Sequence, residues 1–409
     1  MLVTTILSLL YLALPARSAI GQAINFNIST AELQSYGCNA SCQAILSYAN
    51  AADLETIGTE FNFDFYNTPN NFSSSAPGDL LKLEPYTSVD LDGTIVPSSG
   101  FIAFPFASPA NGSQFPLIAY AHSTIGVRRG RASSSSPSLF DYNSWVPLMY
   151  NGYAVVATDY AGLGHSQGGG AVWKLSEHPL VQKHSSGYLG TVAISPASKL
   201  YDMSVEIFEH IIPRPDFHQF VVTAELGQLI YGLKATYPNY MTPLLADGMR
   251  KRLELADITQ SCTLASMGLS LDLPRDQYTV ADVTPATDEF LKKFQDTNAP
   301  AQRDSASKPI LIIQGWNDTS VLPQTTLDSF QATVNAGNVA YLKRYPGLDH
   351  SATITSSTPL WLNYLAELFA HKKQPRKSSD TMITPFNLAV AKAPLELPLN
   401  EKPLLSLLG

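Results

Sequence analysis

The chain has 409 residues, of which 45% are hydrophobic, 15% are charged and 10% are aromatic. This composition excludes a disordered tail, a collagen-like repeat and a coiled coil, and it allows one large domain with an insertion or two modest domains. The formal net charge is −8 without a domain-wide basic face, so nucleic acid is not expected as a partner.

The N-terminus has the pattern of a secretory signal. An apolar run over 6–14 precedes small residues at Ala16 and Ser18, which suits cleavage after Ser18. The run is too short to span a bilayer. Residues 1–18 are therefore predicted to be a signal peptide of a secreted protein. Five glycosylation sequons agree with that route: Asn27, Asn39, Asn71, Asn111 and Asn317.

Three cysteines are an odd number for an oxidising compartment, and one disulfide bond plus one thiol is the simplest arrangement. Cys38 pairs with Cys42, or either of them pairs with Cys262, and the sequence leaves both alternatives open. No His or Cys spacing typical of a metal site accompanies them, so no metal is predicted.

From residue 80 onward, short β-type runs alternate with helical patterns, which indicates an α/β fold with a mostly parallel sheet. Residues 87–91 and 101–106 flank an Asp92-Gly93 turn and predict an antiparallel hairpin. Apolar runs without strict alternation predict buried parallel strands over 117–121, 153–158, 191–194, 310–313 and 339–344. A helix over 325–336 is expected to end at Gly337.

Residues 201–271 have helical apolar periodicity without strands between, which predicts a helical cap within an insertion over 201–304. An ordinary packed subdomain is the alternative to a mobile cap. The core would then consist of 80–200 and 305–370. An N-terminal segment, 19–79, and a loosely attached tail, 371–409, would flank it.

The pentapeptide around Ser166, Gly-His-Ser-Gln-Gly, matches the Gly-x-Ser-x-Gly nucleophile elbow. In that turn the serine is strained, the glycines remove clashes, and the next helix aims N–H donors at a developing oxyanion. A glycine-rich loop before a helix is the alternative for this motif taken alone.

Two downstream residues complete a triad. Asp318 follows the strand 310–313 after a Gly-Trp-Asn turn, and His350 follows the last parallel strand. The order Ser166, Asp318, His350 is that of an α/β-hydrolase. Asp349 is an alternative carboxylate that could instead cap a turn.

The oxyanion donors are expected from the loop after the strand 117–121 and from the residue after the nucleophile. We assign them to the backbone of Ser123 or Thr124 and to that of Gln167; an ordinary polar turn is the alternative for His122 and Ser123. Ser166 would then attack an ester, His350 would act as base and acid, and Asp318 would orient the imidazole. This chemistry needs no cofactor.

Several segments resemble the fungal secretory lipase family of α/β-hydrolases over about residues 80–368. They are Leu-Glu-Pro-Tyr at 83–86, the stretch 87–94, residues 120–127, the stretch 152–164 and Gly-Trp-Asn-Asp at 315–318. The resemblance implies a secreted enzyme with a helical cap that hydrolyses carboxylic esters. Lipid esters and acylated small natural products are the substrate classes it implies, with transient contact between the cap and a lipid interface.

The chain departs from that family just before the elbow. The family has a helix and a strand between the Asp-Tyr-x-Gly-Leu-Gly segment and the elbow, whereas here the two share Gly164. Parallel neighbours need a crossover of about a dozen residues, so an internal deletion is indicated. Ser166 is then expected at the end of the strand 153–158, about 9 to 10 Å from its proper place. Movement of that strand into the elbow's position is the alternative.

Two rival functions remain open at this stage. One is a hydrolase-like protein, impaired in catalysis, that only binds an apolar ligand under its cap. The other is a secreted peptidase of the same fold, although no sequence feature marks a pocket for a substrate amino group. The sequence does not indicate the oligomeric state, the acyl chain or the alcohol.

Overall fold

The computed structural model describes residues 30–38, 40, 42–43, 78–89, 94–106, 109, 114–126, 142–159, 165–183, 187–259 and 261–383. The predicted signal peptide, the link 160–164, the end of the tail and every sequon except Asn317 lie outside these residues.

A first half-sheet is built around the predicted hairpin. Its strands are β1 (Gly78–Val89), β2 (Ile95–Pro105), β3 (Leu117–Tyr120) and β4 (Ala154–Thr158), in the order β1-β2-β4-β3. β1 and β2 pair antiparallel, with a register shift between Leu83 and Tyr86, and β4 pairs antiparallel with β2. β3 and β4 are parallel, as their apolar runs predict.

A second half-sheet is entirely parallel. Its strands are β5 (Thr191–Ile194), β6 (Ile310–Gly315), β7 (Ala340–Tyr345) and β8 (Ser379–Met382), in that order across the sheet. Every residue of β6 is buried, which explains its continuous apolar run. β8 corrects one expectation, because part of the segment 371–409 is not loosely attached. It pairs with β7, and Asp380 accepts a hydrogen bond from Arg344 at 2.8 Å.

Helices cover the second half-sheet on both faces. The helices outside the insertion are α1 (Thr30–Ser35), α2 (Tyr142–Tyr150), α3 (Gln167–Glu177), α4 (Pro179–Lys183), α11 (Pro323–Asn335) and α12 (His350–Phe369). Leu311 and Ile313 pack in a core with residues of α2 and α12. Ile310 and Ile312 point the other way, into a core with Trp173 of α3 and Phe330 of α11. α11 has Pro323 in its first turn and is followed by Gly337 at φ 88°.

The predicted insertion contains helices and no strand among its described residues. They are α5 (Leu200–Glu206), α6 (Val221–Thr236), α7 (Asp247–Ile258), α8 (Thr263–Gly268), α9 (Arg275–Tyr278) and α10 (Glu289–Asn298), with a π-helical turn over Ile207–Ile211. Leu226, Ile230, Leu253 and Leu291 belong to a core of their own there. Whether this unit moves as a cap stays a prediction.

The N-terminal segment attaches to this helical unit. Cys38 and Cys42 form the disulfide bond, with their Cα atoms 5.2 Å apart, which selects the local pairing of the two alternatives. Cys262 is buried as a thiol in the same apolar cluster. Arg252 of α7 donates a hydrogen bond to the Gly37 carbonyl at 2.7 Å and forms an ion pair with Asp272. Among the described residues, no helix is long and apolar enough to cross a membrane.

Candidate active site

Asp318 and His350 meet at the carboxyl edge of the second half-sheet. The Asp318 Oδ2 and His350 Nδ1 atoms are 2.7 Å apart, and both residues are buried. A carboxylate only accepts, so Nδ1–H donates, and Nε2 is the nitrogen that the predicted role as base requires. Asp349 has a different role, because its Oδ1 accepts from the Ala352 N–H and caps α12.

The second oxygen of Asp318 is held by its own loop. Oδ1 accepts hydrogen bonds from the Ser320 and Val321 N–H groups, each at 2.9 Å. Burial alone would raise the pKa of Asp318, but the His350 charge and the hydrogen bonds from His350, Ser320 and Val321 hold it below its usual range. The carboxylate is therefore ionised and fixed, as a group that orients an imidazole has to be.

Ser166 has the backbone of a nucleophile elbow. Its φ is 63° and its ψ is −116°, and α3 begins at the next residue. The Ser166 N–H donates to the Ile194 carbonyl at 3.0 Å, and its carbonyl accepts from the Ala197 N–H at 2.8 Å. These bonds attach the turn to the carboxyl end of β5.

Two glycines after the serine allow α3 to lie this close to β5. A Cβ on Gly169 would stand 2.7 Å from the Ile194 carbonyl oxygen, and one on Gly170 would stand 2.3 Å from the Ala197 oxygen. Both distances are shorter than any ordinary contact. The Gly-rich sequence therefore reflects helix packing as well as the turn.

His165 joins the elbow to the Asp–His pair, and the sequence analysis did not single it out. Its ring centroid lies 4.3 Å from that of His350, and its Nε2 donates to the His350 carbonyl at 3.1 Å. Burial, and then the charge of His350, lower the pKa of His165 to about 3. The residue before Ser166 is thus a neutral ring packed on His350.

The expectation that Ser166 lies at the end of the strand 153–158 is wrong. His165 forms a parallel bridge with Ile194 of β5, while β4 stays between β2 and β3. The alternative, movement of that strand into the elbow's position, is therefore wrong as well. The sequence separation allows this position, because the six Cα steps from Asp159 to His165 span up to about 20 Å and two strand spacings are about 10 Å.

The predicted oxyanion residues lie on the two sides of the elbow. The Thr124 hydroxyl donates to the Gln167 side-chain carbonyl at 3.3 Å, so the loop after β3 contacts the start of α3. Ser123 is next to Thr124, and its carbonyl contacts Nδ1 of the buried His122 at 3.0 Å. The assignment of their N–H groups as oxyanion donors stays a prediction.

Glu225 of α6 is a second carboxylate near the Asp318–His350 pair, and no sequence motif marks it. Its Oε2 accepts from the Ser320 hydroxyl at 2.6 Å, and Ser320 in turn donates its N–H to Asp318. Burial raises the pKa of Glu225 although the His350 charge and the Ser320 bond oppose it. The Val222 N–H also donates to the Thr319 carbonyl at 2.8 Å. The first turns of α6 are thus bonded to the loop that carries Asp318.

No group of three or more His, Cys, Asp or Glu side chains in the described part of the chain is arranged to hold a metal ion. The predicted absence of a metal or cofactor stays a prediction.

Superposition on solved structures identifies the fold of the chain. Candida antarctica lipase A in its closed state superposes with a TM-score of 0.56 at 13% identity, covering 83% of this chain and 90% of that one. A putative hydrolase from Legionella pneumophila gives 0.55 at 16% identity, covering 72% and 90%. A variant of the rice cell wall degrading esterase LipA from Xanthomonas oryzae gives 0.53 at 16% identity, covering 73% and 93%. The fold is that of an α/β-hydrolase.

A sequence profile of the prolyl oligopeptidase family, Peptidase_S9, matches residues 271–374. This is about a quarter of the chain, and it contains Asp318 and His350. No curated protein matches the chain at a significant level. The more specific resemblance to fungal secretory lipases therefore stays a prediction.

Proposed function

We propose that the protein is a secreted carboxylic-ester hydrolase of the lipase or esterase type that forms an acyl-enzyme on Ser166. The 2.7 Å bond between Asp318 and His350, next to a serine with elbow geometry, is the observation that carries this proposal. His350 would take the serine proton and later return it to the leaving alcohol. The backbones of Ser123 or Thr124 and of Gln167 would stabilise the tetrahedral oxyanion.

The surroundings of this site support a proposal for the substrate class. The helical unit over 200–298 lies against the Asp318 loop, and the superposed structures include a lipase and an esterase. We propose small-molecule or lipid esters as substrates, with transient contact between the helical unit and a lipid interface. The apolar run over 6–14 supports a secreted protein.

A fluorophosphonate probe tests the nucleophile directly. We expect the probe to label Ser166 in the wild-type chain, and Ser166→Ala to lose labelling and turnover of nitrophenyl esters together. Ser351→Ala is the matched control, because Ser351 is exposed and adjacent to His350. Equal labelling of Ser166→Ala and wild type would contradict the proposal. No labelling and no turnover in the wild type would favour the rival that only binds an apolar ligand.

A peptidase of the same fold is the second candidate, and the match of residues 271–374 to the prolyl oligopeptidase family favours it. The two candidates differ in the leaving group. Nitrophenyl esters from acetyl to palmitoyl, run beside nitroanilide peptides, would separate them by the ratio of kcat/KM. A higher kcat/KM for peptides than for esters would make the peptidase the better-supported function.

A further inference from the structure

A glutamine side chain lies buried beside the Asp318–His350 pair. Gln314 stands near the end of β6, where its neighbours in the strand are isoleucine, leucine and a final glycine, and none of its surface is exposed. It shares one face of the strand with Ile310 and Ile312, which directs it toward α11. A buried amide is costly unless its polar atoms are hydrogen-bonded, so the partners of Gln314 indicate its role.

The groups around this amide fix its orientation. Its Oε1 accepts a hydrogen bond from the Thr326 hydroxyl of α11 at 2.7 Å. Its Nε2 contacts three oxygens that only accept, which are the Gly315 carbonyl at 3.0 Å, Asp318 Oδ2 at 3.1 Å and the Val321 carbonyl at 3.3 Å. A flipped amide would turn its own oxygen toward these three. The nitrogen therefore faces Asp318.

The Asp318 carboxylate is saturated with hydrogen bonds when this amide is counted. Oδ1 accepts from the N–H groups of Ser320 and Val321, and Oδ2 accepts from Gln314 Nε2 and His350 Nδ1. A carboxylate has about four acceptor positions, so these four donors fill them. The side chain of Asp318 is 0% exposed, and bulk water therefore does not replace a donor that is removed.

The loops that carry Asp318 and His350 are joined by a bond of their own. The Asn317 N–H donates to the Leu348 carbonyl at 2.9 Å, which sets how far apart the two loops lie. Rotation of the carboxylate within its loop depends instead on the donors to its two oxygens. Gln314 supplies the second donor to Oδ2, the oxygen that the imidazole uses.

We propose that Gln314 is a positioning residue for the hydrolase reaction: its side-chain amide holds Asp318 Oδ2 in place for the His350 Nδ1–H. Gln314 acts through Asp318. Thr326 belongs to the same chain of bonds, because its hydroxyl keeps the nitrogen turned toward the carboxylate. The inference rests on the proposed function, since that reaction uses the imidazole as a base.

Steady-state kinetics of Gln314→Met give the first test. Methionine has a similar length and supplies no donor to Oδ2. We expect kcat for nitrophenyl esters to fall about 10- to 100-fold, the effect of one lost hydrogen bond to a charged group. KM should stay within about twofold of wild type, because the imidazolium that Asp318 stabilises forms only during the reaction.

The Asp318→Asn background separates a positioning role from a structural one. If Gln314 acts through Asp318, then Gln314→Met should slow fluorophosphonate labelling of Ser166 in the wild-type background and have no effect in the Asp318→Asn background. A general loosening of the fold would slow labelling by the same factor in both backgrounds.

Gln295→Met is the matched control. Gln295 is buried in α10, and its amide also bonds to an aspartate, with Nε2 donating to Asp202 Oδ2 at 3.2 Å. Its Oε1 accepts from the Tyr201 N–H at 2.9 Å. This variant also loses a buried amide, so it should lower stability, while kcat should stay within about twofold of wild type.

Proton NMR measures the bond between Asp318 and His350 without turnover. The His350 Nδ1–H proton should exchange with water at least about tenfold faster in Gln314→Met than in the wild type, because the oxygen that accepts it is held less firmly. A wild type that shows this difference and hydrolyses no ester would contradict the proposed function but support the positioning role.

The positioning role would be refuted by an unchanged kcat in Gln314→Met, by equal losses in the two backgrounds, or by unchanged exchange of the Nδ1–H proton. If Gln314→Met does not fold, Thr326→Val takes its place. Valine lacks the hydroxyl that orients the amide, so kcat should fall about 3- to 10-fold in the wild-type background and not at all in Asp318→Asn. An unchanged kcat in Thr326→Val would refute the role as well.

Discussion

Ser166 is held in a strained backbone conformation by the elements around it. A non-glycine residue at φ 63° and ψ −116° costs about 1 to 3 kcal/mol. Its N–H and its carbonyl are both bonded to the segment 194–197, and the His165 ring packs on His350. These contacts explain how the elbow keeps its position although no strand of the described residues leads directly into it.

Asp318→Asn should lower kcat about 10⁴-fold with the fold intact, because an amide favours the wrong imidazole tautomer. The stability effect has a definite sign. The pKa of Asp318 is depressed, so its contribution is present above the ordinary carboxyl pKa and is lost as the pH falls through the folded value. The variant should therefore be less stable than wild type at pH 7 and equal to it in strong acid. Ester turnover and urea unfolding at several pH values measure both effects, and an unchanged kcat would remove Asp318 from the triad.

Glu177→Gln should stabilise the protein at pH 8 and leave it unchanged at pH 4. Glu177 is buried on α3 and accepts from the Ala301 N–H at 3.1 Å, and burial raises its pKa to about 7. Above that pH the folded state has to hold a buried charge that the unfolded chain exposes to water. The gain should be about 1 to 3 kcal/mol by urea unfolding. Exposed Glu254→Gln is the control, and the same pH dependence in both variants would refute the assignment.

At the residue scale, the sequence predicted the residues that local patterns identify. Ser166 stands in a five-residue motif, and Asp318 and His350 each follow an apolar strand, so spacing was sufficient to select them as candidates. Glu225 and His165 were missed. Glu225 contacts Ser320, which is 95 positions away in the sequence, and His165 contacts His350, which is 185 positions away. A local sequence pattern cannot reveal contacts between residues so far apart.

The contact between α3 and β5 is the element on which the elbow depends. Gly170→Ala would place a Cβ 2.3 Å from the Ala197 carbonyl oxygen, so α3 has to move away from β5. We expect a loss of about 1 to 3 kcal/mol and slower fluorophosphonate labelling of Ser166. Gly232→Ala in α6 is the matched control, because nothing lies within 4 Å of its added Cβ. That helical substitution should stabilise by up to about 1 kcal/mol. A Gly170→Ala variant as stable as Gly232→Ala would contradict the packing argument.

Elements with strong periodicity were predicted well, and weak ones were not. The parallel strands β4, β5 and β6 have short apolar runs and are largely buried, whereas β8 has the sequence Ser-Asp-Thr-Met with three exposed residues. β3 was expected to be buried, but Leu117 and Ala119 on it are exposed. Its pairing depends on the neighbouring β7 edge and on the ion pair between Arg344 and Asp380. A polar edge strand of this kind has no apolar pattern to detect.

At the scale of the whole molecule, one apolar core joins the half-sheets. Phe101 and Val155 from the first half-sheet and Leu311 and Ile313 from the second share it with Trp145 of α2 and Trp361 of α12. The sequence analysis predicted an internal deletion and expected it to displace the serine. The structure keeps the serine beside β5, because backbone bonds to Ile194 and Ala197 fix the elbow. A cavity of about 530 Å³ lies between β3 and β5, while the shared core holds both halves.

A grafted crossover should therefore stabilise the molecule. The insert would have about 25 residues between Asp159 and His165 and would consist of a helix followed by an apolar strand. This strand would pair with β3 and β5 and run parallel to them toward the elbow. Each apolar side chain that it buries contributes about 1.5 to 3 kcal/mol before ordering costs, so we expect Tm to rise by at least about 5 °C. A Gly/Ser insert of equal length is the control, and it should lower Tm because it only lengthens a loop.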